Sequence, residues 1–182
     1  MFSIKGIKTT LEEITVMDAA DIVKLRNDPA NNKFLFQKEI TIQDQIDWIN
    51  KYMHNADVKN FKVINNENEF KGTISIYNII DKKGEFGRYI VTNPINAIEA
   101  EYLLLKICFE RLGLDTIYCQ TNHENIAVWG QHTKLGFRET EKIDVNVGSN
   151  ADVLVKAIVQ EITAKEFKAF NYEKILNLIK SF

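Results

Sequence analysis

Residues 5–14 alternate weakly between apolar and polar positions, which predicts a first strand. Thr15-Val16-Met17-Asp18 has the form of a capping box, so a helix starts there, with Val16, Ala19, Ala20 and Val23 on its apolar face. That helix stops near Arg26, because Asn27-Asp28-Pro29 is turn chemistry and Pro29 disfavours helix at Asp28. Residues 31–39 read as a loop carrying Phe34, Leu35 and Phe36. Thr41 to Asp44 forms a second capping box. Ile42, Ile46, Ile49 and Met53 then recur at spacings of four, three and four, which predicts an amphipathic helix over 41–54.

Residues 61–65, 70–80 and 85–91 are strand-like, separated by the polar turns 66–69 and 81–84, and so predict an antiparallel meander. Residues 98–112 predict a helix, apolar almost all round between Tyr102 and Phe109 and ended by Gly113. A strand over 116–121 and a helix over 125–135, ended by Gly136, follow. Residues 138–147 and 153–162 predict a closing pair of strands joined through Gly148-Ser149-Asn150. A third capping box at Thr163 to Glu166 opens a C-terminal helix to about Ile179. The order β α α β β β α β α β β α implies an α/β fold, a mixed sheet with helices on both faces, within one domain over 1–182. Its centre is a βαβ unit over 85–121, with a right-handed crossover. The strand–turn–helix order there places backbone N–H groups and a positive helix end where a phosphate-bearing ligand would bind.

Bulk properties narrow the class. The chain has 182 residues, a formal charge of −2, 45% hydrophobic and 26% charged residues. A net acidic chain is unlike a general nucleic-acid binder, which presents a basic face. Residues 1–10 contain no apolar core of signal-peptide length, and no run approaches a membrane span, so a cytoplasmic location is expected. Cys108 and Cys119 sit among apolar residues and read as core thiols. His54, His123 and His132 lack the spacing of metal ligands, so no metal site is expected.

Several local matches carry a family resemblance: Glu85-Phe86-Gly87 opening the central strand, Ile90-Val91 before the turn, and Asn125 followed by Gly136-Phe137. With the element order, these resemble the GNAT superfamily of acyl-CoA N-acyltransferases over nearly the whole chain; the last helix is extra. Leu25-Arg26-Asn27-Asp28-Pro29, Trp48-Ile49, Glu85-Phe86-Gly87-Arg88-Tyr89 and Glu124-Asn125 look like members that acetylate an amine on a nucleotide-linked deoxysugar, such as the pseudaminic-acid-pathway acetyltransferase. One element departs from the pattern. The superfamily's pyrophosphate turn reads Gln/Arg-x-x-Gly-x-Gly/Ala, whereas residues 93–100 here contain no glycine.

The resemblance implies acetyl-CoA as donor, held by Ile90, Val91, Thr92, Asn93, Asn96, Ala97, Ile98 and Asn125. In that turn Asn93 can take left-handed backbone more easily than most residues, and Ala97 and Ala100 are small. Glu85 is the candidate general base, or a solvated strand-end carboxylate. His132 stands where the superfamily usually has a proton-donating Tyr; its other reading is an exposed histidine on a polar helix face. Arg26, Asn27, Tyr77 and Arg88 are the candidate acceptor contacts. Asn125 also reads as an N-cap, and Trp129 as core. The expected function is direct acetyl transfer in a ternary complex to a nucleotide-linked amino-deoxysugar. The alternatives are acetylation of protein N-termini, polyamines or antibiotic amines, or a non-catalytic binding domain favoured by the glycine-free turn. A homodimer through the 34–36 aromatics or the C-terminal helix is a further expectation.

Overall fold

The computed structural model describes residues 2–35, 38–147 and 153–182. The predicted turn at 148–150, and Phe36, lie outside the described residues. Among the described residues one sheet of eight strands runs in the order β1-β2-β3-β4-β5-β6-β8-β7. β5 and β6 are parallel, and every other neighbouring pair is antiparallel.

The predicted first strand is a hairpin, β1 (Ser3–Lys5) and β2 (Thr9–Glu13). A buried carboxylate causes the fold-back: Glu99 accepts from the N–H groups of Ile7 at 2.5 Å and Lys8 at 2.8 Å, pinning the turn between them. The Thr15/Asp18 capping box opens one turn of 3₁₀ helix before α1 (Ala19–Asn27). Its buried face is Ala19, Ile22 and Leu25, whereas Val16 and Ala20 are exposed and Val23 is half-buried. The tighter 3₁₀ turn rotates the face that the α-helical spacing predicts. After Asp28, which caps through Ala30 N, comes a short helix α2 (Pro29–Asn32) where a loop was expected. Pro29 fits the first helical position, where its missing N–H costs nothing.

The second capping box holds α3 (Ile42–Tyr52), as predicted. Its buried residues are Gln45 and Ile49, while Ile42 and Met53 at its ends are half exposed. The meander β3 (Lys59–Asn65), β4 (Phe70–Ile80) and β5 (Lys83–Val91) also forms. β4 and β5 are joined by Asp81 and Lys82, both at positive φ (48° and 60°), as a two-residue hairpin turn requires.

α4 (Pro94–Lys106) starts four residues before the predicted boundary and continues through a π-helical turn, Ile107–Arg111, to Gly113 at φ +66°. β6 (Thr116–Asn122), α5 (Ile126–Lys134), β7 (Arg138–Val147) and β8 (Val153–Thr163) match the expected order. The expected single C-terminal helix is two, α6 (Ala164–Ala169) and α7 (Glu173–Lys180), broken at extended Phe170. Tyr172 fixes the break, donating its hydroxyl to Leu135 O at 2.8 Å while its ring packs on Phe167 and Phe170.

Side chains alternate across the sheet. Leu11, Phe61, Val63, Ile74, Ile76 and Phe86 share the main core with Ala100, Leu103 and Leu104 of α4. On the opposite face Ala19, Ile22 and Ile49 form a second cluster, and Lys62 of β3 pairs with Asp18 at 2.8 Å. That second face is more open, and it carries the candidate site.

Candidate functional site

Two irregularities in β5 and its partner organise the site. The β4–β5 register slips between Tyr77 and Ile80, and again between Thr73 and Ser75. Each slip carries a non-glycine residue at positive φ: Asn78 (51°) on β4 and Arg88 (48°) on β5. Left-handed backbone costs such residues roughly 1–2 kcal/mol, and bulges re-aim side chains at functional edges. Here the two bulges flank Glu85.

Glu85 accepts three hydrogen bonds: from Asn78 Nδ2 at 2.8 Å, Tyr77 OH at 3.1 Å and Tyr118 OH at 3.2 Å. Burial, then the Glu85 charge, pushes the phenols of Tyr77 and Tyr118 up, so both stay protonated donors. Gly87 leaves room for this arrangement, because a Cβ there would stand 2.5 Å from Tyr77 OH. Glu85 faces a cavity of about 230 Å³ with Phe34, Gln120, Asn122 and the apolar wall Val145, Val147, Val155 and Ala157.

Arg88 lies on the other side of Tyr77. Its guanidinium sits 4.2 Å from the Tyr77 ring centroid, 4.9 Å from Trp48 and 5.5 Å from Tyr52, and donates to Asn60 Oδ1 at 3.2 Å. Arg88 and Arg26 line one cavity of about 290 Å³ with Ile22, Asp44, Trp48, Thr73 and Ser75. Burial first, then the neighbouring Arg88 charge, lowers the Arg26 guanidinium; burial lowers Arg88. The cavity's carboxylate, Asp44, is engaged at the α3 N-terminus, accepting from Thr41 N at 2.8 Å and Thr41 Oγ1 at 2.7 Å. Two like charges held partly out of bulk water repel one another, a cost that an anion between them would relieve.

Asn27 does not line this cavity. Its amide latches the following loop, donating to Ile40 O at 2.8 Å and accepting from Ile40 N at 3.1 Å. Arg26 and Arg88 line one cavity, Arg88 packs on the Tyr77 ring, and Tyr77 donates to Glu85, which lines a separate cavity. Sequence reasoning missed Asn60, Asn78 and Tyr118, whose roles depend on strand register and bulges. It also missed Trp48 as a cavity wall, although its place next to Ile49 put it on the helix edge.

β5 and β6 pair only at Lys83–Thr116, Gly84–Ile117 and Glu85–Tyr118, although both strands run on. Beyond Glu85 they separate, and α5 spans the gap. His132 of α5 is 2% exposed, and its Nδ1 lies 2.8 Å from Oε1 of fully buried Glu101 on α4. Gln131 Nε2 donates to Glu101 Oε2 at 2.8 Å and to Tyr89 OH at 2.5 Å. Rings of Phe86, Tyr89 and Phe137 enclose the imidazole. The reading of His132 as an exposed polar-face residue is therefore corrected: this face of α5 turns into the strand gap. Glu101 directly precedes the stretch 102–109 that reads as apolar almost all round, and its burial was not read from the sequence.

The turn into α4 also differs from expectation. Asn93 is extended (φ −110°), not left-handed, and is the N-cap. Its Oδ1 accepts from Ile95 N at 2.9 Å and Asn96 N at 3.1 Å, its carbonyl accepts from Ala97 N at 2.9 Å, and Pro94 has no N–H. The first-turn donors expected to be open to phosphate are thus already bonded. Asn96 is buried, donating to Thr9 Oγ1 at 2.9 Å and Lys8 O at 3.2 Å, and Ala97 is buried as well. Ile90 and Val91 pair with Thr73 and Gly72 beside the gap, and Thr92 is tied to Lys71 O. Ile98 is half-buried against the main core. Asn125 precedes α5 but its side chain makes no capping bond. Trp129 is half-buried, with Nε1 donating to His123 O at 3.1 Å. Burial raises both cysteine thiols, which removes them as thiolate nucleophiles.

Comparison with known proteins bears on this arrangement. Residues 8–138 match the family model described as an acetyltransferase (GNAT) domain. No curated protein matches the chain. Among solved structures, apo FdhC, described as a nucleotide-linked sugar GNAT, superposes with a TM-score of 0.82 at 20% identity, covering 98% of each chain. A spermidine N-acetyltransferase from Vibrio cholerae in complex with CoA and spermine gives a TM-score of 0.76 at 19% identity, covering 88% of this chain and 98% of that one. A probable GNAT-family acetyltransferase from Chromobacterium violaceum gives 0.79 at 18% identity, covering 91% and 88%.

Proposed function

The chain belongs to the acetyltransferase (GNAT) family, and from that premise we propose that its acceptor is an amine on a nucleotide-linked amino-deoxysugar. The observation carrying this reading is the pairing of Arg26 and Arg88 in one cavity beside Glu85. A diphosphate satisfies two guanidiniums by charge-assisted hydrogen bonds. A polyamine cation would meet like charge there, at a cost that rises as water is excluded. The apolar wall opposite Glu85 suits the reduced polarity of a deoxysugar.

Acetyl-CoA, when bound, supplies an acetyl group activated as a thioester. The residues fit it at the gap between β5 and β6, where strand pairing stops and Ile90 and Val91 offer a backbone edge. At the α4 turn the fit requires Asn93 Oδ1 to yield its two N–H partners. Glu85 takes the amine proton, directly or through a water, its position fixed by Tyr77, Asn78 and Tyr118. The bulge between Gly87 and Ile90 interrupts the ladder where a backbone N–H is needed to polarise a carbonyl. His132, held by Glu101 through Nδ1, is the candidate proton donor for the departing thiolate, which would have to approach it past the rings of Phe86, Tyr89 and Phe137. Reactants aligned in one ternary complex need no covalent intermediate.

The test is a free-thiol release assay comparing a nucleotide-linked amino-deoxysugar with the same amino sugar lacking the nucleotide. At least a hundredfold loss of kcat/KM on removing the nucleotide is expected; equal values would refute recognition through the arginines. The self-capped α4 favours one rival, a non-catalytic binding domain that has lost productive CoA binding. A thermal shift with acetyl-CoA excludes that rival if melting rises at saturating ligand.

A further inference from the structure

The inward positions of α3 are Gln45, Trp48, Ile49 and Tyr52, which share one helix face by their spacing. Three of them pack. Ile49 joins Ala19 and Ile22 in the second cluster, and the rings of Trp48 and Tyr52 lie 4.9 and 5.5 Å from the Arg88 guanidinium. Gln45 is the polar one. It is 6% exposed, and among the described residues its side chain has no hydrogen-bond partner. Buried polar groups around it are engaged. Ser75 Oγ donates to Asn60 Oδ1 at 2.8 Å, Thr73 Oγ1 donates to Arg88 O at 3.2 Å, and Asp18 accepts from Lys62 Nζ at 2.8 Å.

Buried polar side chains are nearly always bonded, because an amide taken out of water without a partner loses its hydration and gains nothing. Among the described residues, Gln160 Oε1 is the sole unbonded side-chain oxygen or nitrogen shut off from solvent, so the Gln45 amide reaches open space. That space is the two-arginine cavity, whose wall Gln45 shares with Arg26, Arg88, Thr73 and Ser75. The guanidiniums only donate, so they recognise negative charge whatever carries it. Thr73 and Ser75 direct their protons into the protein, and Asp44 accepts from Thr41 at the α3 N-terminus. The Gln45 amide alone among these offers two N–H donors and a carbonyl acceptor together. A fully ionised diphosphate has no hydrogen for that carbonyl. A hydroxyl supplies both halves: a hydrogen for Oε1 and a lone pair for Nε2.

Resting on the acceptor class proposed above, we propose that Gln45 is a specificity-determining residue, whose amide reads a hydroxyl of the acceptor next to its diphosphate. Solvent entering the cavity satisfies the amide when no acceptor is bound. A ligand that displaces this solvent must return its hydrogen bonds, and one without the hydroxyl leaves the amide stranded. The arginines thus select charge, and Gln45 separates a hydroxyl-bearing phosphate ester from a bare anion. A ribose and an amino sugar both place hydroxyls beside the diphosphate, and the two sources are separated by the choice of ligand.

Gln45→Met tests the assignment, since it keeps the length of the side chain and removes the amide. The full chain and the variant are titrated by calorimetry with inorganic pyrophosphate, UDP, dTDP and GDP, and assayed by thiol release with a nucleotide-linked amino sugar. Pyrophosphate affinity should stay within twofold, and so should the KM for acetyl-CoA. The KM for the linked sugar should rise roughly tenfold, the effect of losing a hydrogen bond of ordinary strength. A matching loss for the nucleoside diphosphates assigns the ribose hydroxyl; unchanged affinity for them assigns the amino-sugar hydroxyl. The urea midpoint should hold or rise, because an amide without a protein partner holds nothing in place. A clear fall in that midpoint, or failure of both Gln45→Met and Gln45→Leu to fold, would show a structural amide and overturn the assignment. So would an unchanged KM for the linked sugar in a protein that still binds pyrophosphate, and that result leaves the acceptor class standing. A parent protein that binds none of the four anions refutes the acceptor class itself.

Discussion

Arg88→Gly tests function and stability together, because backbone relief offsets part of the stability loss and none of the binding loss. Arg88 sits at φ +48°, a conformation glycine adopts freely. Relief of that strain contributes about 1–2 kcal/mol to the variant. The loss side comprises cation–π contacts with Tyr77, Trp48 and Tyr52 at 4.2, 4.9 and 5.5 Å, and the hydrogen bond to Asn60 at 3.2 Å. A cation–π contact is worth about 0.5–1 kcal/mol where exposed, and a hydrogen bond to a charged group about 1.5–3 kcal/mol in folding. Arg26 gains too, since its nearest like charge is removed. Set against each other, these terms leave a net destabilisation of roughly 1–5 kcal/mol. Recognition has no such offset: a phosphate losing a charge-assisted bond forfeits about 1.5–3 kcal/mol, or roughly 10–150-fold in KM. Urea unfolding gives the first quantity and thiol release against a nucleotide-linked amino sugar the second. A folded variant with KM within twofold of the parent would refute the role of Arg88 in binding the anion.

Glu85→Gln keeps the shape and most hydrogen bonds but removes the base; kcat should fall by about 10²–10⁴, with acetyl-CoA affinity within threefold, and an unaltered pH–rate profile would remove Glu85 from the mechanism. Glu101→Gln tests the buried pair with His132: breaking a buried ionised pair costs about 3–5 kcal/mol in urea unfolding, so a loss under about 1 kcal/mol would show that the pair is not charged. Asn93→Ala removes the α4 cap at about 1 kcal/mol of stability and frees two N–H groups, so acetyl-CoA affinity measured by calorimetry should hold or rise; a fall would show that the Asn93 side chain itself contacts the ligand.

Much of the frame was legible because it depends on local chemistry. The Thr-x-x-acid boxes at Thr15, Thr41 and Thr163, the polar hairpin turns, and Gly113 and Gly136 each mark an element end wherever they occur. The departures come from long-range partners. Glu99 on α4 folds the first strand back on itself from more than ninety residues away, and Tyr172 bends the last helix by reaching Leu135. Among the candidate residues, Glu85 and Arg26 stood out by their place at a strand start and a helix end, and Tyr77 and Arg88 by lying on neighbouring strands. Asn78, Asn60, Tyr118 and Glu101 were not, since their roles follow from two bulges, a strand register and a buried helix face. The glycine-free turn was visible as an anomaly. Its consequence, that Asn93 occupies the helix N-terminus, needed the backbone.

The central claim is that the acceptor is anionic, and a competition between acceptors tests it most directly. With acetyl-CoA fixed, thiol release is measured for UDP- or dTDP-linked amino-deoxysugars and for spermidine, and acetylated products are identified by mass. The pairing of Arg26 and Arg88 predicts a kcat/KM at least a hundredfold higher for a nucleotide-linked sugar than for spermidine. Spermidine acetylated as well or better would contradict the account.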